Sequence, residues 1–125
     1  MYEVAGLTGT GVIAAAKDRG LYAIAVDRDK NYLAPENVIT SMLKDVGAGV
    51  YLAAKMVAED NFKGGLYRYG VKEGGIGFAI IGDLLLVEVI ALAETLKQMI
   101  IDETLVPPQT LDELAAFTPP AVTLP

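Results

Sequence analysis

Two groups of residues in this 125-residue chain have types and spacing suited to chemistry. The first is the turn Gly6-Leu7-Thr8-Gly9-Thr10-Gly11 together with Asp27. Glycines between a strand and a helix let a ligand approach backbone N–H groups closely. An acid ending the next strand points into the same crevice and accepts hydrogen bonds from vicinal hydroxyls. Gly9-Thr10-Gly11-Val12-Ile13-Ala14 fits the pattern G-x-G-x-x-A, and Asp27 follows where a ribose-binding acid is expected. A Rossmann-type nucleotide-binding enzyme domain is therefore one reading, and a tight β-α turn whose glycines serve geometry alone is another. The second group centres on Lys72 in Tyr69-Gly70-Val71-Lys72-Glu73-Gly74-Gly75-Ile76-Gly77. A lysine held among glycines can donate to hydroxyls or to an anionic group, or simply be solvated. No Lys is followed by Ser or Thr after the glycine spacing of a Walker motif.

The carboxylates Asp27, Asp29 and Glu36 are close enough in sequence to suggest a hard cation or acid–base work. They lack the alternation of an EF-hand loop, and a solvated loop suits Asp29 and Glu36 better. No metal site and no cofactor is expected. The chain contains no His and no Cys, and its Ser is Ser41, so a Ser-His-Asp triad within it is impossible. Nothing supplies a nucleophile together with its base, which argues against catalysis. A formal net charge of -6 disfavours a nucleic-acid surface.

The elements that must position these groups alternate between strand and helix. Met1 to Ala5 reads as a strand, and Val12 to about Arg19 as a helix with Val12, Ala15 and Ala16 facing the sheet. Gly20 suits the left-handed position that ends helices. Leu21 to Val26 and Val38 to Leu43 are apolar enough for strands covered on both faces. Asp45 is placed to cap a helix running to about Asp60, with Val50, Ala53, Ala54 and Val57 as its buried stripe. Short strands are expected at Leu66 to Tyr69 and Phe78 to Ile81, then a helix over Asp83 to Asp102 with Leu85, Val89, Leu92, Ala93, Leu96 and Ile100 inward. Asp83 and Glu88 interrupt the apolar run from Ile76 to Ala93, which favours a buried helix over a membrane span. Thr110 and Glu113 have capping-box spacing, and Thr118 to Pro125 reads as an extended tail. The pattern is α/β, with right-handed parallel β-α-β connections.

Taken in order, Ala5-Gly6-Leu7-Thr8-Gly9-Thr10-Gly11-Val12, Ala23-Ile24-Ala25-Val26-Asp27, Asn31-Tyr32-Leu33-Ala34-Pro35, Ile39-Thr40-Ser41-Met42, Phe62-Lys63-Gly64-Gly65 and Tyr69 to Gly77 resemble the basic membrane protein family, the PnrA-like substrate-binding lipoproteins of ABC transporters. The similarity runs over most of Met1 to Pro107. Leu7 departs from it, standing where the family usually has glycine. The resemblance implies a three-layer, Rossmann-like α/β fold, here a partial C-terminal lobe of a type I periplasmic-binding-protein fold. Residues 1–107 would form the substrate-binding part, and 108–125 a short helix and tail. It implies capture of a purine nucleoside in an interlobe cleft, without catalysis, and delivery to an ABC permease on the extracytoplasmic face of the membrane. No signal peptide is visible after Met1. Carried over, Asp27 would accept from the ribose hydroxyls and Lys72 would support the sugar. The turn containing Gly6, Thr8 and Gly9 would line the cleft.

Half a cleft lacks the desolvation of a closed site, so weak binding by the isolated chain is expected. With the opening β-α-β-α part of the lobe not ahead of it, Val4 to Gly6 would lie at an apolar sheet edge, which invites a homodimer.

Overall fold

The computed structural model describes residues 1–121. The chain forms two compact units, Met1–Leu85 and the segment from Leu86 onward.

The first unit is built on a three-stranded sheet of β1 (Ala23–Asp27), β2 (Val38–Lys44) and β3 (Ile76–Phe78), in that spatial order. β1 and β2 are parallel, with Ala25 opposite Ser41 and Asp27 opposite Leu43. Met1–Glu3 runs parallel along the other edge of β1: Ile24 N–H donates to Met1 O at 2.7 Å, and Glu3 N–H donates to Ile24 O at 3.1 Å. Beyond Glu3 the backbone turns at Gly6 (φ 55°) into a 3-10 turn, Gly6–Thr8, that runs directly into α1 (Gly9–Asp18). Only one of the two turn ends needs glycine for its backbone, since Gly9 is helical at φ -57°.

Ile13 and Ala16 of α1 pack with Ala23, Ala25, Ala34 and Val38 to make the buried core. Small residues dominate it, so helix and sheet approach closely, and Ile13 and Val38 are its largest side chains. Gly20 (φ 61°) reverses the chain after α1, as its position predicts. Asp45 caps α2 (Val46–Ala58), accepting from Ala48 N–H at 2.9 Å.

Several sequence expectations need correction. Met1 to Ala5 does not become a regular strand and is bridged to β1 at Tyr2. The sheet is mixed, because β3 pairs antiparallel with β2. The general β-α-β pattern does not hold between β1 and β2, whose connection is a loop carrying a 3-10 turn, Asn31–Leu33, in the stretch where Pro35 excludes a regular helix. α1 starts at Gly9 rather than Val12, so its inner face shifts to Ile13 and Ala16. Leu66 to Tyr69 forms no strand, and β3 begins at Ile76 instead of Phe78. α2 turns Ala48, Gly49, Leu52, Ala53 and Met56 inward, leaving Val50 65% and Val57 57% exposed. The reason is composition: α2 is apolar on nearly all sides, so periodicity alone cannot choose its inner face.

The second unit contains α3 (Val87–Ile101) and α4 (Leu111–Ala116). α3 starts four residues later than Asp83, and Leu86 is its extended N-cap. Its half-buried side includes Leu92, Ala93, Leu96 and Ile100 as expected, whereas Val89 is exposed. Thr110 and Glu113 form the expected capping box: Glu113 N–H donates to Thr110 Oγ1 at 3.2 Å, and Thr110 N–H donates to Glu113 Oε2 at 3.3 Å. The last part of the expected tail, residues 122–125, lies outside the described residues. Among the described residues, no helix is long and apolar enough to cross a membrane.

Candidate functional site

Parallel neighbours end at the same side of a sheet, so β1 and β2 deliver their last residues together. Asp27 closes β1 with φ 74°, a left-handed conformation that Asp and Asn tolerate better than most side chains. That conformation turns the chain out of the sheet. Lys44 closes β2, and its Nζ lies 2.8 Å from Asp27 Oδ1, with both side chains partly exposed. The hydrogen bond from Lys44 lowers the Asp27 pKa; slight burial opposes this, and the charges of Lys44 and Lys30 reinforce it. Asp27 therefore remains an acceptor-only carboxylate below the usual range.

These strand ends border an open cavity of about 490 Å³, whose walls include Gly6, Thr10, Asp27, Arg28, Lys30 and Lys44. Its wall combines one acid, three cations and the glycine turn, with Tyr32, Leu33 and Val46 as apolar surface. This mixture of apolar wall and few polar anchors suits a small polar molecule.

Below the cavity lies a buried ion pair. The Glu3 side chain is fully buried and accepts from Lys30 Nζ at 2.7 Å and from the N–H groups of Ala5 and Val26, each at 3.3 Å. Burial raises the Glu3 pKa, but the Lys30 hydrogen bond, the Lys30 charge and the two backbone N–H groups outweigh it, and the net shift is downward. Lys30 is fixed at its other end, where its backbone N–H donates to the buried Ser41 Oγ at 3.1 Å. One carboxylate thus ties the glycine turn, the end of β1 and the β1–β2 connection together.

Of the residues singled out from sequence, Gly6 and Asp27 line this one cavity. Thr8 sits in the 3-10 turn, its Oγ1 donating to Ala5 O at 2.7 Å. Gly9 is buried over Glu3, and a Cβ there would fall inside the Glu3 carboxylate. The glycine at that position makes room for Glu3. Lys72 lies in the turn closed by Gly74 N–H to Val71 O at 3.1 Å, outside the walls of this cavity. A neighbouring cavity of about 420 Å³ lies between α2 and the Tyr69–Gly75 loop, again without Lys72 in its wall. Asp29 accepts from Asn31 N–H at 3.0 Å and so shapes the 3-10 turn. Among the described residues, no three His, Cys, Asp or Glu side chains gather into a metal cluster.

Sequence reasoning passed over Glu3, Arg28, Lys30 and Lys44. Glu3 carried a signal: a lone carboxylate within a short apolar strand needs a partner if that strand is buried. Nothing local identifies the partner, which is 27 residues away.

The family described as ABC transporter substrate-binding protein, PnrA-like, matches residues 1–110. Basic membrane protein A of Borreliella afzelii is 39% identical over 121 residues, covering 94% of this chain and 37% of that protein. Basic membrane protein C of Borreliella burgdorferi strain N40 is 35% identical over 109 residues, covering 84% of this chain and 28% of the relative. This chain thus spans well under half the length of these relatives. Among solved structures, an ABC transporter solute-binding protein from Aeropyrum pernix K1 superposes with a TM-score of 0.68 at 30% identity, over 89% of this chain and 41% of that one. A transcriptional activator of the comK gene from Bacillus halodurans shares the fold, with a TM-score of 0.78 at 23% identity, over 85% of this chain and 38% of that one.

Proposed function

This chain belongs to the PnrA-like family of ABC transporter substrate-binding proteins, and on that premise we propose that it forms one wall of a cleft that captures a purine nucleoside. The observation that carries the reading is the meeting of Asp27 and the Gly6 turn at one cavity beyond the parallel strand ends. Ligands of open α/β sheets bind at that end. Lys44 occupies Oδ1 of Asp27 and keeps the group ionised, so the carboxylate is ready to accept from a ribose hydroxyl. Thr8 and Gly9 support the turn from behind, while Lys72 stands outside this wall. The chain binds without transforming its ligand and acts with an ABC permease at the extracytoplasmic membrane face.

Titration with inosine and guanosine, followed by amide NMR shifts, tests the reading. Weak, saturable shifts at Gly6, Asp27 and Lys44 are expected, since one wall alone leaves the ligand half solvated. Asp27→Asn is the better variant than Asp27→Ala, because Asn accepts the left-handed backbone at φ 74° with less strain. It should weaken binding about tenfold, the range of a charge-assisted hydrogen bond. Undiminished binding by Asp27→Asn would remove the assigned role.

The same reading includes a homodimer through the open edge. Val4 is 74% exposed and Tyr2 57%. Exposed edge backbone offers donors and acceptors to a second copy. Light scattering should give a mass that rises with concentration toward twice the monomer, and Val4→Pro should suppress it. A constant monomer mass at high concentration would exclude the dimer.

A further inference from the structure

The cations around the cavity are unequal. Lys30 is committed to Glu3 and Lys44 to Asp27. Arg28 lines the same cavity, is exposed, and has no hydrogen bond or ion pair among the described residues. Pairing the others off leaves Arg28 as surplus positive charge at this cavity, in a chain whose net charge is -6. It follows Asp27 directly, so an acceptor for hydroxyls and a donor for anions stand at adjacent positions of one wall.

A bare nucleoside has hydroxyls for Asp27 but no anion for Arg28. We infer that the preferred ligand carries both, and that this cavity takes a nucleoside 5′-monophosphate, with its sugar toward Asp27 and its phosphate toward Arg28. This rests on the nucleoside reading of the same cavity. A guanidinium presents a planar fork of N–H donors that matches two phosphate oxygens at once, which neither committed lysine can do. Lys30 and Lys44 are each offset by their carboxylate, so the positive charge that an approaching dianion meets at this wall is that of Arg28, even though the chain as a whole is acidic.

Four probes separate the possibilities: inosine, inosine 5′-monophosphate, ribose 5-phosphate and inorganic phosphate, each titrated into the full chain and followed by amide NMR shifts. The monophosphate should bind about tenfold tighter than inosine at low salt, with the advantage shrinking as salt screens an exposed contact. Arg28→Gln should lose that advantage, and its thermal melt should match the parent because Arg28 has no partner within the fold to lose. Ribose 5-phosphate should fall between the monophosphate and inorganic phosphate. Equal affinities for inosine and its monophosphate, or an advantage that survives Arg28→Gln, would overturn the inference while leaving the nucleoside reading intact. Inorganic phosphate binding as tightly as the monophosphate would also overturn it, since the sugar would then contribute nothing. Failure of all four probes to bind would overturn the nucleoside reading and this inference with it.

Discussion

Lys30→Met should destabilise the first unit by about 3–5 kcal/mol, the range for removing one partner of a buried ion pair. The Glu3 carboxylate would be left fully buried with two backbone N–H donors and no cation. Methionine fills much of the lysine stem, so the loss is one of charge more than of volume. The double variant Glu3→Gln/Lys30→Met should recover part of the stability, because no charge remains buried, although Ala5 and Val26 donate to different carboxylate oxygens and one amide oxygen replaces only one of those acceptors. Urea unfolding of the parent, both single variants and the double variant gives the coupling. A double variant as unstable as Lys30→Met would show that packing, and not charge, holds this site.

The same pair gives the acid limb its sign. The Glu3 pKa is lowered from its usual 4.5 on folding. Its contribution is therefore complete above pH 4.5 and is lost as pH falls through the lowered folded value. Asp27, shifted the same way by Lys44, adds to that limb. Stability measured from pH 7 down to pH 3 should fall less steeply in Glu3→Gln than in the parent. Identical acid limbs would contradict the assignment.

Gly9→Ala should destabilise the same unit by about 1–3 kcal/mol, although a helical Gly→Ala exchange normally gains about 1 kcal/mol. The sign reverses because the added methyl would overlap the Glu3 carboxylate, which Lys30 and two N–H groups hold in place. Relief requires α1 to lift or the ion pair to open. Gly11, two residues along the same helix, has nothing within 4 Å of an added Cβ. Gly11→Ala should therefore raise the melting temperature while Gly9→Ala lowers it. Two shifts of the same sign would show that Glu3 yields easily.

How much of this was legible in sequence depends on the range over which each feature is determined. Asp45 before α2, Gly20 after α1 and the Thr110–Glu113 box are settled within a few residues, and each appears as its local chemistry predicts. Asp27 and Gly6 reach one cavity because strand, turn and helix alternate in a recognisable order. The direction of β3 was not legible. Parallel and antiparallel pairing with β2 both suit the short apolar run around Phe78, and the long segment from Asn61 to Gly75 permits either. The inner face of α2 was hidden by having apolar residues on almost every side. Glu3 and Lys30 illustrate the same limit at the site: each is ordinary in its own neighbourhood, and the pairing exists only once β1 brings their segments together.

The ion pair also constrains how this sequence can drift. Positions 3 and 30 behave as one inherited character, because losing the lysine first strands a buried charge. Losing the glutamate first likewise strands the buried Lys30 ammonium, so neither single change is easy, while Gly9 must persist for as long as a long side chain occupies position 3. Part of the glycine turn is thus preserved by what lies beneath it, whatever ligand the cavity above comes to hold.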